Sequence, residues 1–344
     1  MPGVTGRPGD RSAAGAAPDL AGTAVAGSLA GARKKRMLVI VNPHATTVSE
    51  RLANLVVYAL QSRFRVEAQT TEAPAHATEI GRAARDGRYD VVVPFGGDGT
   101  LNEVANGLAG TEVPVAILPG GSTNVVCRML GMPNNVIDET EHLLGLADQF
   151  RPRRIDLGLI DERHFVFSAG AGIDATVVRR VDANPRLKAA AGPYYYSWAA
   201  ISSYYRNYLA RAPRMRIDTG DERTEGVTAL AQNGDPFTYF GRRPVRVCPG
   251  VRLDDGRLGL AVLERAAQRD IATLVPRILA GPAGARDHRR VAHFPGIREA
   301  LVTSLAIDSE GRPRPFPLQV DGDYIGERHQ AHIRIAPGAL RVLA

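Results

Sequence analysis

Cysteine is almost absent from this chain of 344 residues: Cys127 and Cys248 are the only two, and they form no C-x-x-C pair. That excludes a disulfide framework and a structural zinc site, and makes a reducing cytoplasm the expected compartment. Lysine is scarce too, occurring only at Lys34, Lys35 and Lys188, so nearly all of the 43 basic residues are arginine. No stretch approaches the roughly 18 apolar residues that a membrane-spanning helix needs. No G-x-S-x-G elbow signals a serine hydrolase. His329 and His332 stand three apart without a carboxylate and cysteine cluster around them, and they read as a solvated surface pair.

The formal charge of +7 is less informative than it looks. Residues 1–36 hold six basic and two acidic residues and so supply more than half of it, and the remaining body has no concentrated basic motif. Nucleic-acid binding is therefore not expected. Hydrophobic content of 44% with 23% charged residues is ordinary for a water-soluble globular chain, and the length suggests two cores.

Residues 1–36 read as a disordered extension, rich in Ala, Gly, Pro, Ser and Thr, with no hydrophobic period. The RKKR cluster follows the mildly apolar AGTAVAGSLAGA, the reverse of the order in a secretory signal. Met37 opens the first convincing strand and is a candidate for the natural start.

From residue 37 to about 150, apolar strands (MLVIV, FRVEAQ, DVVVPF, VPVAILP) alternate with helices expected around 49–62, around 75–86, from Leu101 and from Thr123. That pattern predicts a parallel sheet covered on both faces. From residue 151 to 344 the texture becomes short strands between turn residues, with helical interruptions around 185–210 and 268–282. The expected fold class is α/β, a Rossmann-like three-layer N-terminal domain followed by a mainly antiparallel β-sandwich.

Chemistry concentrates in two glycine turns. DVVVPF-GGDGT-LNEVANGL and VPVAILP-GGS-TNVVCRML both read strand, glycine turn, helix. Glycines let backbone approach a ligand, and a helix start offers unpaired amides, a combination suited to phosphate. Neither loop contains lysine, which excludes Walker and protein-kinase elements. Asn102 occupies the third glycine position of G-x-G-x-x-G, which disfavours ordinary dinucleotide binding. Thr100 and Glu103 fit a capping box, and Asn124 is a candidate for holding the two loops together.

The motifs VNP at 41–43, GGDGTLNEVANGL at 96–108, PGGSTN at 119–124, LDDG at 253–256 and VDGD at 320–323 resemble the diacylglycerol kinase catalytic family, which includes bacterial diacylglycerol kinases and sphingosine kinases. With the TTE run ending at Glu72 they span essentially everything from residue 37 onward. The resemblance implies an ATP- and Mg2+-dependent lipid kinase, with diacylglycerol as the leading acceptor. It is expected in the cytoplasm, at the inner face of the membrane that holds its lipid substrate. A homodimer is one assembly it permits. ATP contacts are implied at Asn42, Pro43, His44, Ala45, Thr46, Thr71, Gly96, Gly97, Asp98, Gly99, Thr100, Leu101, Asn102 and Ser122. A magnesium site is implied at Asp255, with main-chain oxygens of Arg252 and Arg257.

The family assigns its catalytic carboxylate either to a late D-G-E or to the Asp of GGDGT. The candidates in this chain are Asp98, Asp321 and Asp323, with Asp323 standing where the family carries Glu. Val125 replaces the Asp of the family's GTxND version. Rival readings are a kinase for another lipid or long-chain-base alcohol, an NAD kinase, and a non-catalytic nucleotide or lipid sensor. The aromatic run Tyr194–Trp198 with Tyr204, Tyr205 and Tyr208 reads as core or domain contact, with a lipid-binding wall as the alternative.

Overall fold

The structure, a computed structural model, describes residues 33–182, 213–280 and 284–344. The expected extension, up to residue 32, and the expected aromatic helix around 185–210 lie outside the described residues.

Four parallel strands form the first sheet: β1 (Arg36–Val41), β2 (Arg65–Thr70), β3 (Val91–Gly96) and β4 (Leu118–Pro119), in the order β2-β1-β3-β4. β1 and β3 are continuous apolar runs because both of their faces are covered. Side chains alternate across the sheet. Leu38, Ile40 and Val92 enter one core, while Met37, Val39, Val91 and Val93 enter the other. α2 (His76–Ala83) and α3 (Asp98–Leu108) supply Ala77, Ile80, Leu101 and Val104 to the first core. α1 (Glu50–Leu60) and α5 (Val136–Leu146) supply Ala53, Val56 and Leu143 to the second. The short α4 (Val125–Met129) lies between β4 and α5.

The strand expected over 113–119 shrinks to two residues. Upstream of it Val115 makes single bridges to Val92 on one side and Val342 on the other. The end of the chain thus returns to the first sheet, with Leu343 N donating to Val115 O at 2.8 Å. Leu340 and Val342 enter one of its cores and Leu343 the other.

The second half contains β5 (Arg153–Ile160), β6 (Arg163–Phe165), β7 (Ser168–Gly172), α6 (Ile173–Asp182), β8 (Met215–Asp218), β9 (Arg223–Gly226) and β10 (Thr228–Gln232). β11 (Thr238–Phe240), β12 (Arg243–Val245), β13 (Leu258–Leu263) and α7 (Gln268–Ala280) follow. β14 (Val291–Ile297), β15 (Glu299–Ser304), β16 (Phe316–Val320), β17 (Asp323–Arg328) and β18 (Gln330–Val342) complete it. Two antiparallel six-stranded sheets result, ordered β14-β13-β10-β7-β16-β17 and β6-β5-β18-β15-β8-β9. Their shared core joins Ala169, Ala231, Leu260 and Leu318 from one sheet to Met215, Ile217, Val302 and Ile333 from the other. The antiparallel sandwich expected from the spacing of short strands is therefore present.

One turn matters for the site. Asp321 and Gly322 alone connect β16 to β17, with φ of 47° and 85°. Two positive φ values in a two-residue hairpin loop select Asp-Gly.

Candidate active site

The loops that follow β1, β2, β3 and β4 all leave the same edge of the sheet, the carboxyl ends of its strands, where ligands of open α/β sheets bind. Asn42–Thr46, Thr71, Gly96–Asn102 and Ser122 gather along this edge. The loops are tied to one another. Asn42 Nδ2 donates to Thr100 Oγ1 at 2.9 Å, and Thr47 N and Oγ1 both donate to Gly120 O at 3.0 Å. A Cβ on Gly121 would stand 2.8 Å from Gly97 Cα, so the two glycine turns pack backbone against backbone. Ser122, His44 and Thr46 remain exposed.

α3 begins at Asp98, three residues before the expected Leu101, with Gly97 as its N-cap. Asp98 does not turn back to cap its own helix. Its Oδ2 accepts from Val125 N at 3.0 Å and its Oδ1 from Val126 N at 3.3 Å. The single carboxylate of the first loop thus holds the opening amides of α4, the helix of the second. Burial pushes its pKa up, the two amides oppose that, and the charge of Asp323 adds to it.

Asp321 is buried and saturated with donors. Oδ2 accepts from Val166 N at 2.6 Å and Asn102 Nδ2 at 2.8 Å, and Oδ1 accepts from Phe167 N and Ser168 N at 3.0 Å. Burial pushes its pKa up to about 6 against the pull of these donors. Four donors and no donor of its own leave Asp321 built into the fold.

Asn102, an expected ATP contact, is fully buried. Its Nδ2 also donates to His164 O at 2.9 Å, and its Oδ1 accepts from Arg163 Nη2 at 2.6 Å and Asn106 Nδ2 at 3.1 Å. No polar side-chain atom of Asn102 is left for a nucleotide. Its sequence position beside the phosphate loop suggested a ligand role, and only the packing of β6 against α3 reveals the joint.

Asp323 opens β17 and meets the first glycine loop. A Cβ on Gly99 would stand 3.0 Å from Asp323 Oδ2 and 3.5 Å from Oδ1. Asp98, Gly99 and Asp323 are therefore neighbours, and Asp321 lies two residues away on the tight turn.

Two structural expectations change. Glu103 caps α2, not α3: its Oε1 accepts from Ala75 N at 2.9 Å and its Oε2 from Ala77 N at 3.1 Å. Asn124, with φ of 48°, closes its own loop through Gly121 N and O, each at 2.9 Å, and reaches Asn134 instead of the first loop.

The Arg252–Arg257 turn is held by its own carboxylates. Asp255 accepts from Arg257 N at 3.0 Å and Arg252 N at 3.3 Å, while Asp254 pairs with the Arg252 guanidinium. Buried Asp156, which the sequence reading passed over, receives Gly256 N at 2.6 Å and Gly338 N at 2.7 Å and anchors this turn to β18. Among the described residues no three His, Cys, Asp or Glu side chains converge as a metal cluster, and no helix is long and apolar enough to cross a membrane. Both thiols are buried, which pushes their pKa values up and leaves them unreactive.

Comparison with known proteins agrees with this architecture. Residues 36–159 match the family described as the diacylglycerol kinase catalytic domain, and residues 167–344 match the YegS C-terminal NAD kinase beta sandwich-like domain. A diacylglycerol kinase of Staphylococcus saprophyticus is 27% identical over 300 residues, covering 86% of this chain and 90% of its own. The crystal structure of a diacylglycerol kinase from Bacillus anthracis is 19% identical, with a TM-score of 0.65, covering 90% of this chain and 96% of its own. A second crystal structure from that organism has a TM-score of 0.70 at 23% identity, covering 92% and 97%. At these identities the crystal structures speak for the fold. With both halves matched in order, the chain belongs to the diacylglycerol kinase family of lipid kinases, a catalytic domain followed by a YegS-type sandwich.

Proposed function

We propose that this protein transfers the γ-phosphoryl group of ATP to the hydroxyl of diacylglycerol, giving phosphatidic acid and ADP. The observation that carries the reading is the carboxylate of Asp323 against Gly99, which brings a basic oxygen from the second half to the phosphate loop of the first. ATP suits this edge: glycine turns allow close approach, and the amides of Asp98, Gly99 and Thr100 precede the first helical bond, from Leu101 N to Gly97 O.

In this reading Asp323 accepts the acceptor hydroxyl proton, directly or through one water. The new O–P bond forms in line as the β–γ bridging bond breaks. Asp321 acts as a positioning residue, since its four donors fix the turn that presents Asp323. Asp98 fixes the second glycine loop and faces the same site.

Mg2+ fits the pair Asp98 and Asp323: burial, and after it the charge of Asp323, push the Asp98 pKa up, and a cation beside two neighbouring carboxylates would relieve both. Bound there, it would neutralise developing charge on the phosphates. The exposed carboxylate of Asp255, with the main-chain carbonyls of Arg252 and Arg257, is proposed as a second site for the ion.

The test is labelled ATP incubated with detergent-dispersed diacylglycerol, sphingosine and NAD in parallel, with and without EDTA. Labelled phosphatidic acid, abolished by EDTA, is the expected product. Label in NAD phosphate or in the long-chain base would replace the acceptor, and no labelled product at all would favour a nucleotide or lipid sensor.

A further inference from the structure

β11 and β12 pair only with each other and belong to neither six-stranded sheet. Their two-residue loop, Gly241 and Arg242, turns through Gly241 at φ 59° and exposes a short run. Phe240 is 43% exposed, and Gly241, Arg242, Arg243 and Pro244 are exposed beside it. An aromatic ring facing water next to two arginines needs a reason.

Charge along this segment is one-sided. From Pro236 to Leu253 the chain carries Arg242, Arg243, Arg246 and Arg252 and no acidic residue. The acidic residues that bracket it are taken: Asp235 pairs with Arg246 and Asp254 with Arg252. Arg242 and Arg243 have no acidic partner among the described residues.

The tip is also prepared to leave bulk water. An exposed carbonyl that loses its hydration without a new donor is costly. Here the carbonyl of Gly241 accepts from Arg128 Nη1 at 3.1 Å and that of Arg242 from Arg128 Nη2 at 3.5 Å. The same guanidinium stands 3.3 Å from the centre of the Tyr239 ring. Both loop carbonyls are thus satisfied, while Phe240 and the two arginines stay exposed.

We infer that the β11–β12 tip, Phe240 to Pro244, docks the protein on an anionic bilayer, with Phe240 entering the interfacial layer and Arg242 and Arg243 facing lipid phosphates. Aromatic rings and arginines suit that layer, and each basic side chain near an anionic leaflet strengthens the attraction severalfold. The clamp has a second consequence. Arg128 sits on α4, and the opening amides of that five-residue helix hold Asp98. Docking therefore fixes the phosphate-loop side of the molecule next to the bilayer that holds the lipid acceptor. The inference rests on the lipid-kinase reading for its purpose but not for its measurement.

The experiment is co-sedimentation of the full chain, without ATP, with vesicles of phosphatidylcholine alone and of phosphatidylcholine mixed equally with phosphatidylglycerol. R242Q/R243Q should lower partition onto the anionic vesicles by about tenfold or more, and F240S by about threefold. Melting temperature and activity on detergent-dispersed substrate should stay at the wild-type value. Equal sedimentation of wild type and both variants overturns the inference, as does anionic binding that disappears only when residues 1–36 are deleted. A double variant that melts earlier or loses detergent activity would make the tip a support of the fold. Lost retention on RNA with unchanged vesicle binding would reassign it to nucleic acid. Absence of detergent activity in every protein, wild type included, would overturn the kinase reading while sedimentation still decided the docking.

Discussion

Asn102 Nδ2 lies 2.8 Å from Asp321 Oδ2, a buried hydrogen bond between residues 219 positions apart that joins α3 of the first half to the β16–β17 turn of the second. Three polar contacts between the halves pass through Asn102, to Asp321, His164 and Arg163, so disturbing either side should be felt at Asp323.

Asn102→Ala leaves Asp321 short of one donor and Arg163 Nη2 without its acceptor, so a loss of about 2–3 kcal/mol in stability is expected. Asn102→Asp should be worse, since it sets a second carboxylate against Asp321. Urea melts give the stability and detergent assays the turnover. Wild-type turnover and stability in Asn102→Ala would reduce the joint to a bystander.

Asp98→Asn should lower turnover by about a hundredfold or more, the scale of losing a preorganised electrostatic group. The amide keeps only one acceptor oxygen for the two amides of Val125 and Val126, so the KM for ATP should rise as well. Circular dichroism should show the fold retained. Activity within about threefold of wild type, or roughly 0.7 kcal/mol in barrier, would remove Asp98 from the site.

Asp323→Asn should cost far more turnover than Asp323→Glu, because Asn loses both charge and basicity while Glu keeps them on the longer arm. Gly99→Ala supplies an orthogonal test: the new methyl would stand 3.0 Å from Asp323 Oδ2 and must displace it. A fall of about tenfold in kcat with a melting temperature near wild type is expected. Equal, mild effects of Asn and Glu at 323 would make Asp323 a turn residue.

Glu139 supplies a pH test of stability. It is fully buried on α5, neither carboxylate oxygen has a hydrogen-bond partner among the described residues, and burial pushes its pKa from 4.5 up to about 8. The fold therefore binds more protons at this position than the unfolded chain between those values, and stability falls as pH rises through that window. Glu139→Gln removes the penalty. Its gain in melting temperature should be small at pH 4 and largest above pH 8, and a gain independent of pH would show that Glu139 is not the titrating group.

Several features were legible because they are local. Uninterrupted apolar runs such as MLVIV and VVVPF specify strands covered on both faces, and short runs between turn residues specify the antiparallel sandwich. Glycine turns between strand and helix specify close-packed loops at the carboxyl ends of the strands, and Asp321-Gly322 specifies a tight hairpin. Each depends on a residue and its near neighbours in the chain.

Which polar atoms meet could not be read in that way. Thr100 and Glu103 have capping-box spacing, yet Glu103 reaches α2 because packing of α3 against α2 brings Ala75 and Ala77 within its range. Asp98 looked like a solitary carboxylate in a loop and holds the amides of α4, 27 and 28 residues on. Asn102 looked like a ligand contact and joins two domains. The sequence by itself determined the layers, the loops and the inventory of carboxylates, because hydrophobic period and backbone conformation are short-range properties. Only the tertiary structure decided that Asp321 is consumed by four donors while Asp323 faces Gly99, because a hydrogen-bond partner is chosen by whichever donor the packed cores bring within about 3 Å.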